Sequence, residues 1–110
     1  MHLGEYQALA LNTWNPPPRD KILDIVYLAL GLGETGEVQG KIKKILRDDN
    51  QIISDEKREA IAAELGDVLW YVAVLAAELN LQLEDIASGN IVKLASRKQR
   101  GVIQGSGDNR

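Results

Sequence analysis

Two pairs of acidic residues have the types and spacing that divalent-metal chemistry requires, Glu34-x-x-Glu37 and Glu64-x-x-Asp67. Each pair interrupts a stretch of helix-forming sequence that carries no other acidic or basic side chain with a formal charge. Because residues three apart on a helix share a face, with Cβ atoms about 5–6 Å apart, each pair can chelate one ion. Carboxylates in apolar surroundings are costly unless a cation or hydrogen bonds compensate them. The four acids therefore predict a metal site shared between two helices.

The chain offers only oxygen ligands for such an ion. It contains no cysteine, and its single histidine, His2, lies near the N-terminus. Carboxylate sites without nitrogen or sulfur ligands favour Mg²⁺ or Mn²⁺, and Mg²⁺ often recruits substrate phosphates as further ligands. Di-iron helix bundles instead combine glutamates with Glu-x-x-His motifs, which this chain lacks. We therefore predict Mg²⁺ as the cofactor, with Mn²⁺ as a substitute, and phosphate chemistry rather than oxygen chemistry.

A plainer interpretation of the acidic pairs is that they lie on solvated helix faces, because 26% of the residues are charged. The neighbours of the second pair favour the metal site instead. Glu64 and Asp67 share a helical stripe with Ala60, Tyr71 and Val74, and apolar residues flank this stripe on both sides. Acids in such a setting are expected to face an interior cleft.

The elements that must position these acids are helices. The sequence has no sustained alternation of polar and apolar residues and no hairpin signal, so it predicts an all-α fold with a bundle of four to five helices. The predicted helices are Leu3 to Trp14, Asp20 to Arg47, Ser54 to Leu79 and Leu83 or Glu84 to Arg100, with Asp20 and Ser54 as N-caps, a polar loop at Asp48-Asp49-Asn50-Gln51 and a closing Asn80. The second and third helices are long, and antiparallel packing would bring the two acidic pairs together. The metal site should therefore lie between these two helices.

We predict one domain over residues 1–100, followed by a flexible, glycine-rich tail over residues 101–110. Residues 1–92 carry 8 basic and 15 acidic side chains, whereas residues 93–110 carry 5 and 1, so their charges are −7 and +4. A basic segment this small is a weak footprint for a nucleic-acid polymer and suits a small, multiply charged anion. The tail either folds over such a substrate as a lid or stays disordered.

Five glycines surround or separate the acids: Gly31, Gly33, Gly36, Gly40 and Gly66. Each weakens a helix by about 1 kcal/mol, so they need a structural reason. One explanation is a close approach of the helices that carry the acids, and the other is simple core packing. The glycines also match Gly-x-Gly-x-x-Gly, but a dinucleotide-binding fold needs a second parallel strand about 30 residues further on. The chain has a basic helix end and a polar loop after this motif, so we disfavour that fold.

The second and third predicted helices are apolar on almost every side, and four short helices cannot cover both. We therefore predict a homodimer or homotetramer in which these helices pack across a subunit interface. No signal peptide is visible between Met1 and Trp14, and neither uncharged stretch reaches the length of about 18 residues needed to cross a membrane without an acid in its middle. These features predict a cytoplasmic protein that binds no membrane.

The two acidic motifs also resemble those of a known family. The run from Gly33 to Val38 and the run from Glu64 to Leu69, in this order and helical setting, are similar to the ExxE and ExxD motifs of the MazG-like, all-α nucleoside triphosphate pyrophosphohydrolases, which include the dimeric dUTPases and dCTPases. The resemblance spans about residues 20–100. Asn90-x-x-Lys93 is similar to the segment that these proteins place near the nucleotide phosphates.

The resemblance implies an enzyme that hydrolyses a nucleoside or deoxynucleoside triphosphate to the monophosphate and pyrophosphate. It also implies that Mg²⁺ is held by Glu34, Glu37, Glu64 and Asp67. Some members of the family have a further acid just before the first metal ligand, where this chain has Gly33. If that acid is the general base, a metal-binding carboxylate must replace it here, and Glu37 is our first choice and Glu34 the second.

Substrate contacts are predicted at five further positions. Lys41, Asn90, Lys93 and Arg97 are candidates to bind the phosphates, since charged donors hold phosphate oxygens well. Trp14 lies beside a triproline segment and is a candidate to stack on the base. The alternative for the cations is ordinary solvation, and the alternative for Trp14 is a hydrophobic anchor for the first helix.

A different class of function is also compatible with the sequence. A non-catalytic helical oligomerisation or adaptor module would use the carboxylates for interface hydrogen bonds or for a structural ion. Such a module does not need four acids on facing apolar helices with lysines at their rim, which favours the enzyme. A third possibility is a hydrolase of organic phosphates or phospholipid headgroups that shares the metal site.

Overall fold

The structure is a computed structural model that describes residues 1–48 and 50–110. Its elements are α1 (Leu3–Leu11), α2 (Lys21–Gly31), a 3₁₀ turn (Leu32–Glu34), α3 (Thr35–Asp48), α4 (Asp55–Glu78) and α5 (Leu83–Gln99). The described ranges contain no β-strand. The predicted all-α fold is therefore confirmed, with five α-helices.

Helix α4 is the centre of the structure, because α1, α2, α3 and α5 all pack against it. The buried core is small and draws on four of the helices: Ala10 of α1, Leu28 of α2, Ala73 and Val74 of α4, and Leu83 of α5. Helices α2 and α3 and the 3₁₀ turn between them contact the same helix α4. This arrangement places both acidic motifs at one helix contact.

The predicted helical segment from Asp20 to Arg47 is confirmed in its extent, but it is not one continuous α-helix. The chain forms α2 and α3 instead, and the 3₁₀ turn at Leu32–Glu34 separates them. Gly31 and Gly33 lie at this break, and glycine weakens a helix by about 1 kcal/mol. A short 3₁₀ stretch inside a longer helical segment often marks a functional hinge or local strain, and here it ends on the first predicted metal ligand, Glu34.

The predicted helix ends are partly confirmed. Ser54 caps α4, since its hydroxyl accepts a hydrogen bond of 3.2 Å from the backbone N–H of Lys57. Asn80 adopts a left-handed conformation with φ of 59° and follows the end of α4. Asp20 occupies the N-cap position of α2 without a capping hydrogen bond from its side chain. The first helix ends at Leu11, three residues before the predicted Trp14.

The loop after α3 also differs from the prediction. Asp48 is the last residue of α3 rather than a loop residue. Asn50 and Gln51 have φ angles of 52° and 65°, so the chain turns sharply there through left-handed conformations. Asp49 lies outside the described residues.

The buried side chain of Gln7 fixes α1 to the end of α4 and the start of α5. Its Nε2 donates to the backbone carbonyls of Ala73 (3.1 Å) and Leu81 (3.0 Å). Its Oε1 accepts a hydrogen bond of 3.1 Å from the backbone N–H of Leu83. Because both ends of the amide are satisfied, this polar group can be buried at little cost. Gln7 thus holds α1, and the aromatic residues that follow it, against α4.

Helix α4 is long and apolar enough to cross a membrane by length and composition alone. One such helix is weak evidence, because the core helix of a soluble protein passes the same test. Glu64 and Asp67 lie within this helix, and four other helices pack against it. The predicted cytoplasmic location remains a prediction.

Close approach explains one of the five glycines. A Cβ atom at Gly31 would overlap the aromatic ring of Tyr71 on α4, so only glycine fits at this contact. A Cβ atom would meet nothing within 4 Å at the other four positions, which are Gly33, Gly36, Gly40 and Gly66. The 3₁₀ turn that begins after Gly31 is therefore held against α4 by the Tyr71 ring.

Replacing Gly31 with alanine is expected to destabilise the fold by about 1–3 kcal/mol, because the added methyl group overpacks the contact with Tyr71. Gly36→Ala is the matched control, and it should stabilise the protein by up to about 1 kcal/mol, because Gly36 is helical with free space around it. Urea unfolding followed by circular dichroism measures both effects. Equal free energies of unfolding for the two variants would contradict the assigned contact.

Candidate metal centre

Three of the four predicted acids converge on one point. Glu34 at the end of the 3₁₀ turn and Glu64 and Asp67 on α4 each offer a carboxylate oxygen, and these oxygens lie within 4.8 Å of one another. Glu34 and Glu64 are half-buried and Asp67 is exposed. Negative charges this close repel one another unless a cation lies between them. The all-oxygen donor set fits a hard divalent cation such as Mg²⁺ or Mn²⁺.

Glu37 does not belong to this group of converging acids. It lies in the first turn of α3 and is exposed. The sequence predicts Glu34 and Glu37 on one continuous helix face, whereas the structure places Glu34 in the 3₁₀ turn and Glu37 beyond it. Glu37 is therefore not among the three acids that converge in the structure, and its predicted role as a metal ligand remains a prediction.

Lys41 is the predicted phosphate-binding residue that the structure brings to the acids. Its Nζ lies 3.8 Å from Oε1 of Glu64, and both side chains are partly exposed, by 37% and 20%. An ion pair that remains this accessible to water contributes little to stability. The pair instead places a positive charge at the edge of the acidic group.

A cavity of about 200 Å³ opens beside the acids and has aromatic walls. Its lining consists of Glu34, Asp67, Trp70 and Tyr71. The pKa of Tyr71 is raised above its usual value, first by burial, then by the neighbouring Tyr27 hydroxyl and its hydrogen bond, and further by the carboxylates of Glu34 and Asp67. The Tyr71 hydroxyl is therefore protonated at neutral pH beside the acids.

Trp14 belongs to the aromatic cluster behind this cavity. Its ring stacks on Tyr27 at 5.9 Å and meets the edge of Trp70 at 6.0 Å. Its indole N–H donates to a carboxylate oxygen of Glu78 at 3.1 Å. Trp14 is half-buried and packs against the core. These contacts suit a hydrophobic anchor, and the contact with Trp70 also links Trp14 to the cavity wall.

Trp70 is the site residue that the sequence reasoning missed. It lines the cavity, packs edge-on against Tyr71 at 5.1 Å, and donates from its indole nitrogen to the hydroxyl of Thr13 at 2.7 Å. Trp70 lies three residues after Asp67 and therefore on the same side of α4. This spacing could have identified Trp70 as a residue of the site. On α1, the pKa of Tyr6 is raised first by burial and then by the charge of the Asp67 carboxylate.

The predicted cations of α5 contact the C-terminal tail. Nζ of Lys93 lies 3.3 Å from a carboxylate oxygen of Asp108. Arg97 is only 5% exposed, and its Nη2 donates to the carbonyl of Asp108 at 3.0 Å and to the same carboxylate at 3.3 Å. The pKa of Asp108 is lowered by its hydrogen bonds first from Lys93 and then from Arg97. Asn90 is exposed on α5, and in the described chain none of these three α5 residues lines the cavity beside the acids.

The tail itself is held by the side chain of Arg110. Its guanidinium group donates to the backbone carbonyls of Val102 and Ile103, each at 3.1 Å, and to that of Gly107. These contacts fold residues 101–110 back on themselves at the end of α5. The predicted flexibility and lid function of this segment remain predictions.

The chain is similar to known proteins. A family model described as the MazG nucleotide pyrophosphohydrolase domain matches residues 25–102. The Gene 37 protein of Mycobacterium phage L5 is 50% identical over 114 residues, and the match covers 100% of both chains. No solved structure matches the chain at a significant level. The matched segment contains all three converging acids and the exposed Glu37.

Proposed function

Because the chain belongs to the MazG nucleotide pyrophosphohydrolase domain family, we propose that it hydrolyses a nucleoside or deoxynucleoside triphosphate to the monophosphate and pyrophosphate. We further propose Mg²⁺ as the cofactor, with Mn²⁺ as a substitute. The observation that carries this proposal is the convergence of three carboxylates within 4.8 Å, beside a cavity with aromatic walls. We place the activity in the cytoplasm.

Glu34, Glu64 and Asp67 are the residues that would hold the metal. A bound Mg²⁺ supplies charge neutralisation for the phosphates and lowers the pKa of a coordinated water. Glu37 lies outside the three converging acids, and we assign it the general-base role, in which it accepts the proton of the attacking water. The water oxygen bonds to the α-phosphorus, the bond from that phosphorus to the bridging oxygen breaks, and pyrophosphate leaves with the bridging oxygen.

The remaining predicted residues would bind the substrate. Lys41 already lies at the edge of the acids, where it can donate to phosphate oxygens. Lys93 and Arg97 already bind a carboxylate, that of Asp108, and a phosphate group suits the same donors. Trp14 supports the aromatic wall that would receive the base.

The bond that is cleaved can be identified with labelled water. Hydrolysis in water enriched in ¹⁸O should place the label in the nucleoside monophosphate, because the proposed attack is at the α-phosphorus. Mass spectrometry of the products measures this directly. Label in pyrophosphate, or release of orthophosphate with a nucleoside diphosphate, would contradict the proposed reaction.

We also propose that the active form is a homodimer or homotetramer. The isolated chain exposes 8105 Å², whereas a compact monomer of its mass exposes about 6,000 Å². Its radius of gyration is 17.1 Å, compared with about 13 Å for a compact domain of this length. Large apolar side chains are exposed along α2 and α4, including Val26, Leu30, Leu65 and Leu69. A second copy of the chain is the partner that would cover them.

Replacing Leu30, which is 75% exposed, with arginine is expected to convert the oligomer to a monomer. A charge placed in the centre of an apolar interface cannot be buried without a partner, so association should become unfavourable. Light scattering at micromolar concentration measures the mass. Ile52→Arg is the matched control, because Ile52 is 67% exposed and lies in the loop before α4. A monomeric wild-type chain would contradict the proposal.

The exposed apolar surface is also what a helical adaptor module would use. In such an adaptor the carboxylates would form interface hydrogen bonds or hold a structural ion, so removing them would weaken association and leave no turnover to lose. Substitutions at the acids therefore distinguish the two functions, because they lower nucleotide turnover in an enzyme and change only the association in an adaptor.

A further inference from the structure

The indole ring of Trp70 is held by a hydroxyl group from the turn that follows α1. Its Nε1 donates to Oγ1 of Thr13 at 2.7 Å, although the two residues lie 57 positions apart in the chain. The N–H is the one hydrogen-bonding group of an indole, so Thr13 takes up the polar contact that the ring can make. This hydrogen bond links the wall of the cavity beside the acids to the first helix.

Thr13 is itself fixed by the end of α1. Its backbone N–H donates to the carbonyl of Ala10 at 3.1 Å, and its hydroxyl donates to the same carbonyl at 2.8 Å. The backbone N–H of Trp14 continues the turn with a hydrogen bond of 3.1 Å to the carbonyl of Leu11. Because the hydroxyl proton is directed at Ala10, a lone pair of Oγ1 faces the indole N–H. The hydroxyl is therefore held in one orientation.

The hydrogen bond to Thr13 is the directional contact of the Trp70 ring. The ring meets Tyr71 edge to face at 5.1 Å and 88°, and Trp14 at 6.0 Å and 71°. Aromatic pairs tolerate centroid distances from about 4.5 to 7 Å, so these contacts restrict the tilt of the ring only weakly. A hydrogen bond, by contrast, weakens steeply when its angle changes. Thr13 therefore sets the orientation of Trp70.

The occupied indole nitrogen also decides what Trp70 can offer to a ligand. Trp70 and Tyr71 line a cavity of about 200 Å³ together with Glu34 and Asp67. With its N–H bound to Thr13, Trp70 contributes apolar ring surface to this cavity rather than a hydrogen bond. Such a surface beside carboxylates that would hold a metal suits the base of a nucleotide, because stacking requires only the π-face of the base.

We propose that Thr13 is a positioning residue for base binding, whose hydroxyl holds the Trp70 ring in the wall that receives the base. The inference rests on the proposed hydrolysis of a nucleoside triphosphate. Thr13 is not among the described residues that line the cavity, so it acts through Trp70. Loss of the hydroxyl should weaken the contacts with the base and leave those with the metal and the phosphates unchanged.

The test compares Thr13→Val, Thr13→Ser and Asn12→Ala. Valine keeps the shape of threonine without the hydroxyl, serine keeps the hydroxyl, and Asn12 is an exposed neighbour in the same turn. Thr13→Val is expected to raise KM for the triphosphate by about 2- to 10-fold, the factor that one hydrogen bond commonly contributes, with kcat nearly unchanged. Thr13→Ser and Asn12→Ala should keep the KM of the wild type, and circular dichroism verifies folding.

Two probes separate the base from the phosphates without turnover. Thr13→Val should weaken binding of nucleoside monophosphates, which carry the base, by the same factor. It should leave the binding of inorganic pyrophosphate, which has no base, unchanged, and calorimetric titration in the presence of Mg²⁺ measures both affinities. In ¹⁵N-correlated NMR spectra the indole N–H signal of Trp70 should shift upfield in Thr13→Val and stay in place in Thr13→Ser. The chain has two tryptophans, so Trp14→Phe assigns this signal.

The outcomes separate the role of Thr13 from the reaction. If the wild type hydrolyses triphosphates and Thr13→Val retains its KM and monophosphate affinity, the positioning role is wrong and the proposed reaction stands. Equal weakening of monophosphate and pyrophosphate binding in Thr13→Val, or no recovery in Thr13→Ser, would also overturn the role, because the hydroxyl would then not act on the base alone. If no triphosphate is hydrolysed but Thr13→Val alone weakens monophosphate binding, the positioning role stands and the proposed reaction is wrong.

Discussion

Replacing Glu64 with glutamine is expected to lower kcat for Mg²⁺-dependent pyrophosphate release by about 100- to 1,000-fold. Glu64 is one of the three converging acids, and it is half-buried on α4. Glutamine keeps the size of the side chain but removes the negative charge that would hold the cation. The same change also removes the ionic partner of Lys41. Glu59→Gln on the same helix is the matched control, because Glu59 is exposed and lies outside the acidic group.

Direct titration with Mn²⁺, followed by electron paramagnetic resonance, separates a metal effect from loss of folding. The Glu64→Gln variant should bind Mn²⁺ at least about 10-fold more weakly than the wild type, whereas Glu59→Gln should bind it equally well. Circular dichroism should show unchanged helicity for both. Unchanged Mn²⁺ affinity in Glu64→Gln would contradict the assignment of the three carboxylates as the metal site.

Replacing Glu37 with glutamine is expected to lower kcat by about 100- to 10,000-fold, the range over which general-base catalysis contributes. Its Mn²⁺ affinity should stay close to that of the wild type, because Glu37 is exposed and lies outside the group of converging acids. Steady-state kinetics and the same Mn²⁺ titration measure the two effects separately. In Glu64→Gln, by contrast, both kcat and the Mn²⁺ affinity are expected to fall.

A loss of Mn²⁺ affinity in Glu37→Gln would assign a different role to Glu37. If Mn²⁺ affinity falls in Glu37→Gln as much as in Glu64→Gln, then Glu37 is a metal ligand, as the ExxE spacing predicts. The base would then have to be another of the carboxylates, with Glu34 as the next candidate. If neither kcat nor Mn²⁺ affinity changes, Glu37 has no part in the site.

The sequence predicted the features that depend on local signals. Ser54 has the side chain and the position of an N-cap, and its hydroxyl accepts the capping hydrogen bond. Asn80 tolerates a left-handed conformation and adopts it two residues after the end of α4. The spacing of Glu64 and Asp67 sets one helix face whatever the tertiary contacts are, so their proximity also followed from the sequence.

The break between α2 and α3 could not be placed from the sequence. Helix propensity shows that Gly31 and Gly33 weaken a helix, but it does not show which of several glycines marks the break. The structure supplies the reason at Gly31, where the ring of Tyr71 leaves no room for a side chain. Tyr71 lies 40 positions further along the chain, and no local pattern reports such a contact.

The burial of Arg97 and its contacts with the tail could not be predicted from the sequence either. An arginine near a helix end usually extends into solvent, yet Arg97 is only 5% exposed and donates hydrogen bonds to the carbonyl and the carboxylate of Asp108. A glycine-rich tail carries no periodicity that predicts where it folds. Trp70 was missed for a different reason, because in sequence it reads as one more apolar residue of α4.

Metal-dependent release of pyrophosphate from the common nucleoside and deoxynucleoside triphosphates is the most direct measurement of the central claim. We expect at least one triphosphate to give equal amounts of monophosphate and pyrophosphate with Mg²⁺ or Mn²⁺, no reaction with a chelator, and a loss of about 100-fold or more in Glu64→Gln. Absence of metal-dependent pyrophosphate release from every triphosphate, or equal rates for the wild type and Glu64→Gln, would contradict the assigned metal centre and its reaction.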